Sequence, residues 1–298
     1  MDVLCIGEVL FDVLEDGREF PGGAPANAAF HAASVGASSA LVSRVGNDAR
    51  GERLRRWLGE AGVETAALQV AEGEATGVVR VESVAGSPRY DIAAPAAWDF
   101  LEPTDSALAA ARAARTVVFG TLAQRHTRTR ATLRLLVDEA RAAGALTLCD
   151  LNLRPPFFDD ETVLWCLRHC DALKVSAEEL ATVSGMLGAR GDSAALFGGL
   201  LREFGLRRGI LTLGSDGARI EEDGATLELP AVPAQVADTV GAGDAFCAVA
   251  AAALAAGRPL REAAPMCVKV AAAVVSQPGA TPLLPPQLAA EVRDFLGR

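Results

Sequence analysis

The chain has 298 residues, of which 50% are hydrophobic and 22% charged, so it can bury the core of one large domain or two small ones and is not a disordered chain. Its formal net charge is −10. Such an acidic protein has no general attraction for nucleic acid or for an anionic membrane, so any phosphate that it handles must be bound locally.

Short apolar runs that suit buried strands alternate along the chain with longer segments of helical periodicity. The predicted strands are residues 2–7, 39–45, 116–119, 145–150, 172–175 and 209–213. The predicted helices are residues 25–35, 48–61, 127–143 and 177–187, followed by a largely helical region, 241–296, that is broken at 257–259 and 278–286. This alternation indicates an α/β fold, with a mostly parallel central sheet covered by helices on both faces. We expect a single domain over residues 1–298.

Two segments depart from this rhythm. Residues 11–20 and 76–94 alternate apolar and polar side chains, which is typical of half-exposed antiparallel strands and does not suit a parallel core. We therefore predict a small β-sheet lid formed by about residues 11–21 and 76–96. An apolar face and a free edge on this lid favour pairing with a second copy, so a homodimer is expected.

The sequence also predicts a cytoplasmic location. Asp2 is acidic and the apolar run after it is short, unlike an export signal. No apolar run reaches the ~18 residues of a membrane span. The six cysteines are scattered, mostly in apolar surroundings, as buried thiols in a reducing compartment are. Cys166, His169 and Cys170 could occupy neighbouring helical turns, but no second ligand pair at zinc-site spacing accompanies them, so we favour a structural role.

The strongest local pattern is Asp-Thr-Val-Gly-Ala-Gly-Asp at residues 238–244, directly before a helix of small residues. Gly241 and Gly243 permit close backbone approaches, and the free N–H groups of a helix N-terminus bind anions. A carboxylate at Asp244, beside such an anion site, suits the activation of a hydroxyl next to a transferring phosphoryl group. An ordinary glycine-rich turn with an acidic residue in the first helical turn explains these residues equally well on their own.

Two familiar nucleotide-binding motifs are excluded. A dinucleotide-binding fingerprint would need glycine at position 246, which is Phe246. A P-loop needs lysine after glycine, but the only two lysines, Lys174 and Lys269, follow Leu173 and Val268. Any kinase chemistry must therefore use backbone amides, arginine and metal in place of the P-loop lysine.

A second cluster lies near the N-terminus, where Gly22 and Gly23 precede a helix that carries Asn27. Paired glycines let the backbone approach a ligand, and an asparagine side chain both donates and accepts hydrogen bonds, as sugar hydroxyls require. Taken alone, the glycines could form a turn and Asn27 could be an inward polar residue. Asp12 is similarly ambiguous, as a solvated strand carboxylate or a sugar ligand. Arg154 could be an ion-pair partner or a contact to phosphate or sugar at a strand's carboxyl end.

The order of these motifs along the chain is distinctive. It runs Gly22-Gly23-x-x-x-Asn27, Gly46-Asn47-Asp48-x-x-Gly51, Asp150-x-Asn152-x-Arg154, Thr212-x-Gly214-x-x-Gly217 and then residues 238–244. Over essentially the whole chain this resembles the ribokinase-like, phosphofructokinase-B type carbohydrate kinase family. Residues 20–27, 150–156 and 174–180 look most like its bacterial fructokinase branch.

The resemblance implies a ribokinase-like fold with a β-lid, and a role for each matching residue. Asp244 would be the catalytic base, and the amides of Gly241, Ala242 and Gly243 would hold the moving phosphoryl group. The sugar would be bound by Asp12, Gly22, Gly23, Asn27, Asn152 and Arg154. The nucleotide site would include Lys174, Thr212, Gly214, Gly217, Ser276 and Gly279. Glu179 would be the metal-associated acid, although Ser176 stands where many relatives have asparagine.

The expected activity is ATP-dependent phosphorylation of a small sugar, most simply D-fructose, with Mg²⁺ as a cofactor. Many family members also bind a monovalent cation such as K⁺, but residues 276–281 depart from the ribokinase form. Ribose and 2-keto-3-deoxygluconate are alternative substrates. A catalytically silent sugar-binding regulator on the same fold is a second hypothesis, and a nicotinamide-dependent oxidoreductase is a third that lacks its fingerprint.

Overall fold

The computed structural model describes the backbone of residues 1–84 and 87–298, and the side chains of that part outside residues 81–90. The strands are β1 (Val3–Ile6), β2 (Leu10–Leu14), β3 (Glu19–Gly22), β4 (Ser39–Gly46), β5 (Leu68–Ala71), β6 (Gly77–Val84), β7 (Ser87–Ile92), β8 (Thr116–Phe119), β9 (Leu146–Asp150), β10 (Ala172–Ser176), β11 (Arg208–Thr212), β12 (Ala218–Glu222) and β13 (Ala225–Leu229). The helices are α1 (Ala24–Ser34), α2 (Ala49–Glu60), α3 (Asp105–Ala113), α4 (Thr127–Ala142), α5 (Asp160–His169), α6 (Ala177–Met186), α7 (Ser193–Glu203), α8 (Ala242–Ala255), α9 (Leu260–Val275) and α10 (Pro286–Leu296).

The main sheet has the strand order β13-β12-β11-β10-β9-β8-β1-β4-β5 in the described part of the chain. Neighbouring strands from β11 to β5 in this order run parallel, and β12 and β13 add an antiparallel hairpin at one edge. The six strands expected from the sequence are all present within this sheet, so the predicted parallel core is confirmed. The chain places β4 on one side of β1 and β8 on the other, so the strand order reverses at β1, where open sheets bind ligands.

Alternate residues of each central strand enter two separate cores. In β1, Val3 and Cys5 pack into a core that includes α8 and α9, whereas Leu4 and Ile6 pack into a core that includes α4 and α5. The period-two alternation of strand side chains explains this division. Helix α8 is buried along its length from Ala245 to Ala255. Its run of alanines lets α1 and α9 lie close against it, and a helix that is apolar on every side belongs inside a protein.

The small sheet has the order β3-β2-β6-β7, which matches the predicted lid. The pairs β2–β3 and β6–β7 are antiparallel, but β2 and β6 run parallel, with Asp12 opposite Val79. The expectation of a wholly antiparallel lid is therefore wrong. The parallel pairing of β2 with β6 follows from the connectivity. Because β2 follows β1 and β6 follows β5, both strands leave the carboxyl ends of parallel strands and run in the same direction.

The sequence Gly46-Asn47-Asp48 anchors the base of the lid. Asp48 caps α2 by accepting a 2.8 Å hydrogen bond from the N–H of Gly51. The same carboxylate accepts hydrogen bonds from the backbone N–H and hydroxyl of Thr76, at 2.9 and 2.7 Å. Since Thr76 directly precedes β6, this motif fixes the lid to the main sheet.

No helix among the described residues is long and apolar enough to cross a membrane.

Candidate active site

The N-terminus of α8 is the centre of the candidate site. Gly241 caps this helix with φ 82°, and a Cβ atom at this position would lie 2.2 Å from the carbonyl oxygen of Ala280. Glycine is therefore required both by the left-handed backbone and by the close approach. The first N–H groups of a helix have no carbonyl partner within the helix, so the amides of Ala242 and Gly243 are free to bind an anion. Asp244 lies in the same first turn.

The segment before α8 is fixed to the segment after α9. The carboxylate of Asp238 accepts hydrogen bonds from the N–H groups of Val240, at 3.0 Å, and of Gly279, at 3.1 Å. The buried ring of His31 lies with Nε2 2.9 Å from the carbonyl oxygen of Ala280. Burial lowers the pKa of His31, so it is a neutral donor to that carbonyl. These bonds hold the anion-binding turn rigidly.

Asn27 brings the two sequence motifs into contact. Its Nδ2 donates a 2.8 Å hydrogen bond to Oδ2 of Asp244, across 217 residues of sequence. The Asn27 side chain is buried, and no described donor reaches its Oδ1. Buried polar atoms without a partner are uncommon and costly. This oxygen is therefore available to accept a hydrogen bond from a hydroxyl placed beside Asp244.

Asp12 and the paired glycines lie on the lid side of the same site. A Cβ on Gly22 would lie 2.5 Å from a carboxylate oxygen of Asp12, and one on Gly23 would lie 2.6 Å from the carbonyl oxygen of Glu8. Burial raises the pKa of Asp12 to about 6, and the negative charges of Asp244 and Asp238 add to the shift, while Arg154 opposes it. The two glycines thus let the chain before α1 pass close to the side chain of Asp12 and to the backbone of Glu8.

Asn152 and Arg154 follow β9 at the carboxyl edge of the sheet. Asn152 has φ 43°, a left-handed conformation that is uncommon for a residue other than glycine and often marks functional loops. Arg154 is exposed and donates a 3.1 Å hydrogen bond to the carbonyl of Leu153. Its charge lowers the pKa values of Glu8 and Asp12 and so faces the site. The contact of Asn152 and Arg154 with sugar stays a prediction.

A buried ion pair lies directly behind the anion-binding turn. Lys174 Nζ is 2.8 Å from both carboxylate oxygens of Asp150. A Cβ on Gly243 would lie 3.3 Å from this nitrogen, so the glycine makes room for it. Burial alone would lower the pKa of Lys174, but the Asp150 carboxylate outweighs it and the pKa is raised. The permanent positive charge of Lys174 thus lies behind the turn, with its ammonium group turned towards Asp150.

Glu179 is held in place by backbone amides. Its two oxygens accept hydrogen bonds from the N–H groups of Leu153, at 2.7 Å, and Ser176, at 2.8 Å. Ser176 in turn caps α6 by accepting from the N–H of Glu179, so serine performs the capping that asparagine could also perform. In the described part of the chain, no group of three His, Cys, Asp or Glu side chains is arranged to hold a metal. One oriented carboxylate fits Mg²⁺ that arrives with nucleotide phosphates and keeps its own waters.

Apart from Lys174, the residues predicted to bind nucleotide lie at or just after the end of β11 and at or just after the end of α9. Thr212 ends β11, with its hydroxyl 3.4 Å from the carbonyl of Val175, and Gly214 follows it. A Cβ on Gly217 would lie 2.0 Å from the carbonyl of Leu229, so the hairpin β12–β13 itself requires this glycine. Ser276 is exposed at the end of α9, and Gly279 is fixed by Asp238. Their nucleotide contacts stay predictions.

Sequence reasoning missed Glu8 as a site residue. Glu8 is 4% exposed and, with Asp150 and Asn152, lines a cavity at the carboxyl end of β1. The available signal was an acidic residue directly after the central strand, at the point where the strand order reverses.

The assembled site combines an anion-binding helix N-terminus, an adjacent carboxylate and an oriented amide, under a small sheet. The sequence matches the description "pfkB family carbohydrate kinase" over residues 3–287. The chain belongs to the pfkB family of carbohydrate kinases.

This carbohydrate kinase is similar to proteins that act on different substrates. A fructokinase from Klebsiella pneumoniae is 31% identical over 265 residues, which span 85% of this chain and 84% of the fructokinase. An aminoimidazole riboside kinase from Salmonella typhimurium is 28% identical over 255 residues, with 82% and 78% covered. A sugar kinase from Pyrococcus horikoshii, solved in complex with ATP, has a TM-score of 0.84 and 26% identity, covering 97% of this chain and 99% of its own. The predicted ribokinase-like fold and family are thus confirmed.

Proposed function

We propose that this kinase transfers the γ-phosphoryl group of ATP to D-fructose, giving fructose 6-phosphate, with Asp244 as the base. The observation that carries the proposal is the hydrogen bond between Asn27 and Asp244 at the N-terminus of α8. It places a proton acceptor, a hydroxyl-binding amide and free backbone N–H groups at one point. A glycine-rich turn with only a structural role would not need a buried asparagine with a spare acceptor.

In the proposed reaction, the sugar hydroxyl oxygen forms a bond to the γ-phosphorus as the bond to the bridging β–γ oxygen breaks. The hydroxyl proton passes to the Asp244 carboxylate. The amides of Ala242 and Gly243 stabilise the charge on the phosphoryl oxygens, and the Lys174–Asp150 ion pair supports the turn from behind Gly243. Glu179 would hold Mg²⁺, which supplies charge neutralisation to the phosphates when bound.

The charges of the site favour a neutral sugar. Glu8, Asp12 and Asp244 bring three carboxyl groups to the site, and Asp244 raises the pKa values of the other two. Among the described residues, Arg154 is the one cation whose charge lowers the pKa values of those two groups. A substrate carboxylate, as in 2-keto-3-deoxygluconate, would add repulsion and desolvation costs. Hydroxyl groups, by contrast, can donate to carboxylates, and the similarity to fructokinase makes fructose the first choice among neutral sugars.

The resemblance further predicts activation by K⁺ and nucleotide binding by Thr212, Gly214, Gly217, Ser276 and Gly279. The sequence pattern of the lid, and not the resemblance, predicts a homodimer that pairs through the lid. A cytoplasmic location is supported by the six cysteines, which are all free and buried.

The test is ADP release with MgATP and a panel of sugars: D-fructose, D-ribose, aminoimidazole riboside and 2-keto-3-deoxygluconate, with ATP alone as the control. We expect the highest kcat/KM with D-fructose and the lowest with the sugar acid. A tenfold preference for another sugar would contradict fructose as the substrate while leaving sugar phosphorylation in place. If calorimetry detects sugar binding but no sugar in the panel stimulates ADP release from ATP, the protein is instead a silent sugar-binding regulator.

A further inference from the structure

Glu8 is a buried carboxyl group between the central strand and the proposed base. It follows β1, is 4% exposed and lines a cavity of about 20 Å³, which is large enough for one water molecule. Asp150 and Asn152 line the same cavity. Burial of an acidic residue at this depth costs free energy, so a structural or functional gain must offset it.

The segment that carries Glu8 packs against the start of α1. A Cβ on Gly7 would lie 2.6 Å from Cγ of Pro25, and one on Gly23 would lie 2.6 Å from the carbonyl oxygen of Glu8. Ala24 and Pro25, the first residues of α1, line the same cavity as Glu8, and the backbone N–H of Ala24 lowers the pKa of the Glu8 carboxyl group. Asn27, one turn further along α1, donates to Asp244. Glu8 is therefore connected to Asp244 through the first turn of α1.

Charges from several elements surround Glu8. Its pKa is raised to about 7, mainly by burial and in part by the carboxylate of Asp244 in α8. The backbone N–H groups of Glu8 and Ala24 and the charge of Arg154 oppose the shift. Asp150 shares the cavity but is paired with Lys174. The ionised and the protonated forms of Glu8 are therefore both accessible near neutral pH.

We propose that Glu8 is a positioning residue for phosphoryl transfer, whose ionised carboxylate fixes the first turn of α1 so that Asn27 aligns Asp244. An ionised carboxylate attracts the Ala24 N–H and the positive end of the helix dipole more strongly than a carboxylic acid does. Protonation weakens that attraction across the shared cavity and loosens the alignment of Asn27. The inference rests on the proposed role of Asp244.

The test compares the pH profile of kcat, from pH 5.5 to 9 at saturating fructose and MgATP, for the wild type and Glu8→Gln. Glutamine keeps the size and an acceptor oxygen but cannot ionise. We expect kcat at pH 8 to fall roughly tenfold, because small misalignments of a base are costly. In the wild type, kcat should rise with pH near pH 7 as Glu8 loses its proton, and we expect the variant to lack this limb of the profile. The variant should retain only limbs from other groups, such as Asp12. KM for ATP should not change.

Glu222→Gln is the matched control. Glu222 is 3% exposed and accepts hydrogen bonds from the N–H groups of Leu260 and Arg261 at the start of α9, so it also fixes a helix start. Its loss should lower stability and leave the pH profile unchanged. A conservative Glu8→Asp variant, which retains an ionisable group, should retain a limb from that group.

Two results would overturn the inference. The first is a Glu8→Gln profile with the wild-type kcat and the wild-type limb near pH 7. The second is a Glu222→Gln variant that loses the limb equally, which would indicate a general effect of buried glutamates on the fold. If Asp244→Asn still abolishes turnover in either case, the proposed function stands without the role of Glu8. If neither Asp244→Asn nor Glu8→Gln lowers kcat, both the inference and the proposed base are wrong.

Discussion

At the scale of single residues, the contact between Asn27 and Asp244 joins two motifs that are each ambiguous in sequence. A pair of glycines before a helix is commonly a turn, and an aspartate in the first turn of a helix is favoured by the dipole alone. Their 2.8 Å hydrogen bond makes one functional unit of the two. Each side chain restricts the other, so the base and the hydroxyl-binding oxygen keep a fixed relative position.

Replacement of Asn27 by alanine should reduce kcat/KM for sugar by about 10–100-fold, because a hydrogen bond to a charged group contributes ~1.5–3 kcal/mol. Asn47→Ala is the matched control, since Asn47 donates a 3.1 Å hydrogen bond to Glu72 on an exposed surface. Steady-state kinetics of both variants would check the prediction. Equal effects of the two substitutions would contradict a role for Asn27 in the site.

The raised pKa of Glu8 also predicts a pH-dependent stability. The folded state keeps its proton up to about pH 7, whereas the unfolded chain loses it near 4.5, so this group destabilises the fold as pH rises through that window. Glu8→Gln removes the effect. The variant should therefore gain stability relative to the wild type between pH 5 and 7, by about 1–3 kcal/mol, and the gain should stay constant above pH 7.

Urea unfolding of both proteins at pH 5, 6, 7 and 8 would measure this difference. His31, whose pKa is lowered by burial, has the opposite pH dependence, but it is present in both proteins and cancels. A difference in unfolding free energy that does not change with pH would show that Glu8 is ionised in the folded state throughout.

Sequence alone predicts residues whose chemistry is carried by a local pattern and misses those that depend on long-range contacts. Asp244 and Gly241 could be identified because their spacing fits a helix N-terminus. Lys174 was expected at the nucleotide, yet its ammonium group is bound to Asp150, from the neighbouring strand. No local pattern indicates that pairing, and the position of Glu8 directly after β1 does not show how deeply its side chain is buried.

At the scale of elements, α8 depends on a turn that only glycine can form. Gly241→Ala would place a methyl group against the carbonyl of Ala280 and force a left-handed backbone. We expect a loss of unfolding free energy on the order of 2 kcal/mol or more, and a fall in kcat of at least about 100-fold as the anion-binding amides move.

Gly257→Ala is the control for this prediction. Gly257 has φ 70°, close to that of Gly241, but a Cβ there would have no atom within 4 Å. It should cost only about 1 kcal/mol and leave kcat unchanged. Thermal unfolding and kinetics of the two variants separate backbone strain from the close approach. Similar kcat values for both variants would contradict the role of the turn.

The elements that could be predicted are those with strong periodicity. The six parallel strands and the helical region after Gly241 follow from apolar runs and breaks in the sequence. Strand β5 and the hairpin β12–β13 lie at the sheet edges, where Ala218–Glu222 and Ala225–Leu229 carry mixed polar residues and give a weaker signal. The parallel pairing of β2 with β6 depends on the path of the chain through the main sheet, which no local pattern reports.

At the scale of the whole molecule, the small sheet has two edge strands, β3 and β7. Unpaired edges invite pairing with another chain, so we predict a homodimer through the lid. The apolar alternation behind this expectation falls partly on residues 81–90, whose side chains lie outside the described part. Sedimentation velocity at micromolar concentration should give the mass of a dimer. A monomer at that concentration would contradict the prediction.

The central claim is that Asp244 is the base of an ATP-dependent sugar kinase, and Asp244→Asn tests it most directly. Asparagine keeps the size and polarity of the side chain but cannot accept the proton. ADP release with D-fructose should fall by ~10²–10⁴-fold in kcat, while calorimetry should show fructose affinity little changed. A folded Asp244→Asn variant that retained more than about a tenth of the wild-type kcat would contradict the claim, because another group, or none, would then be the base.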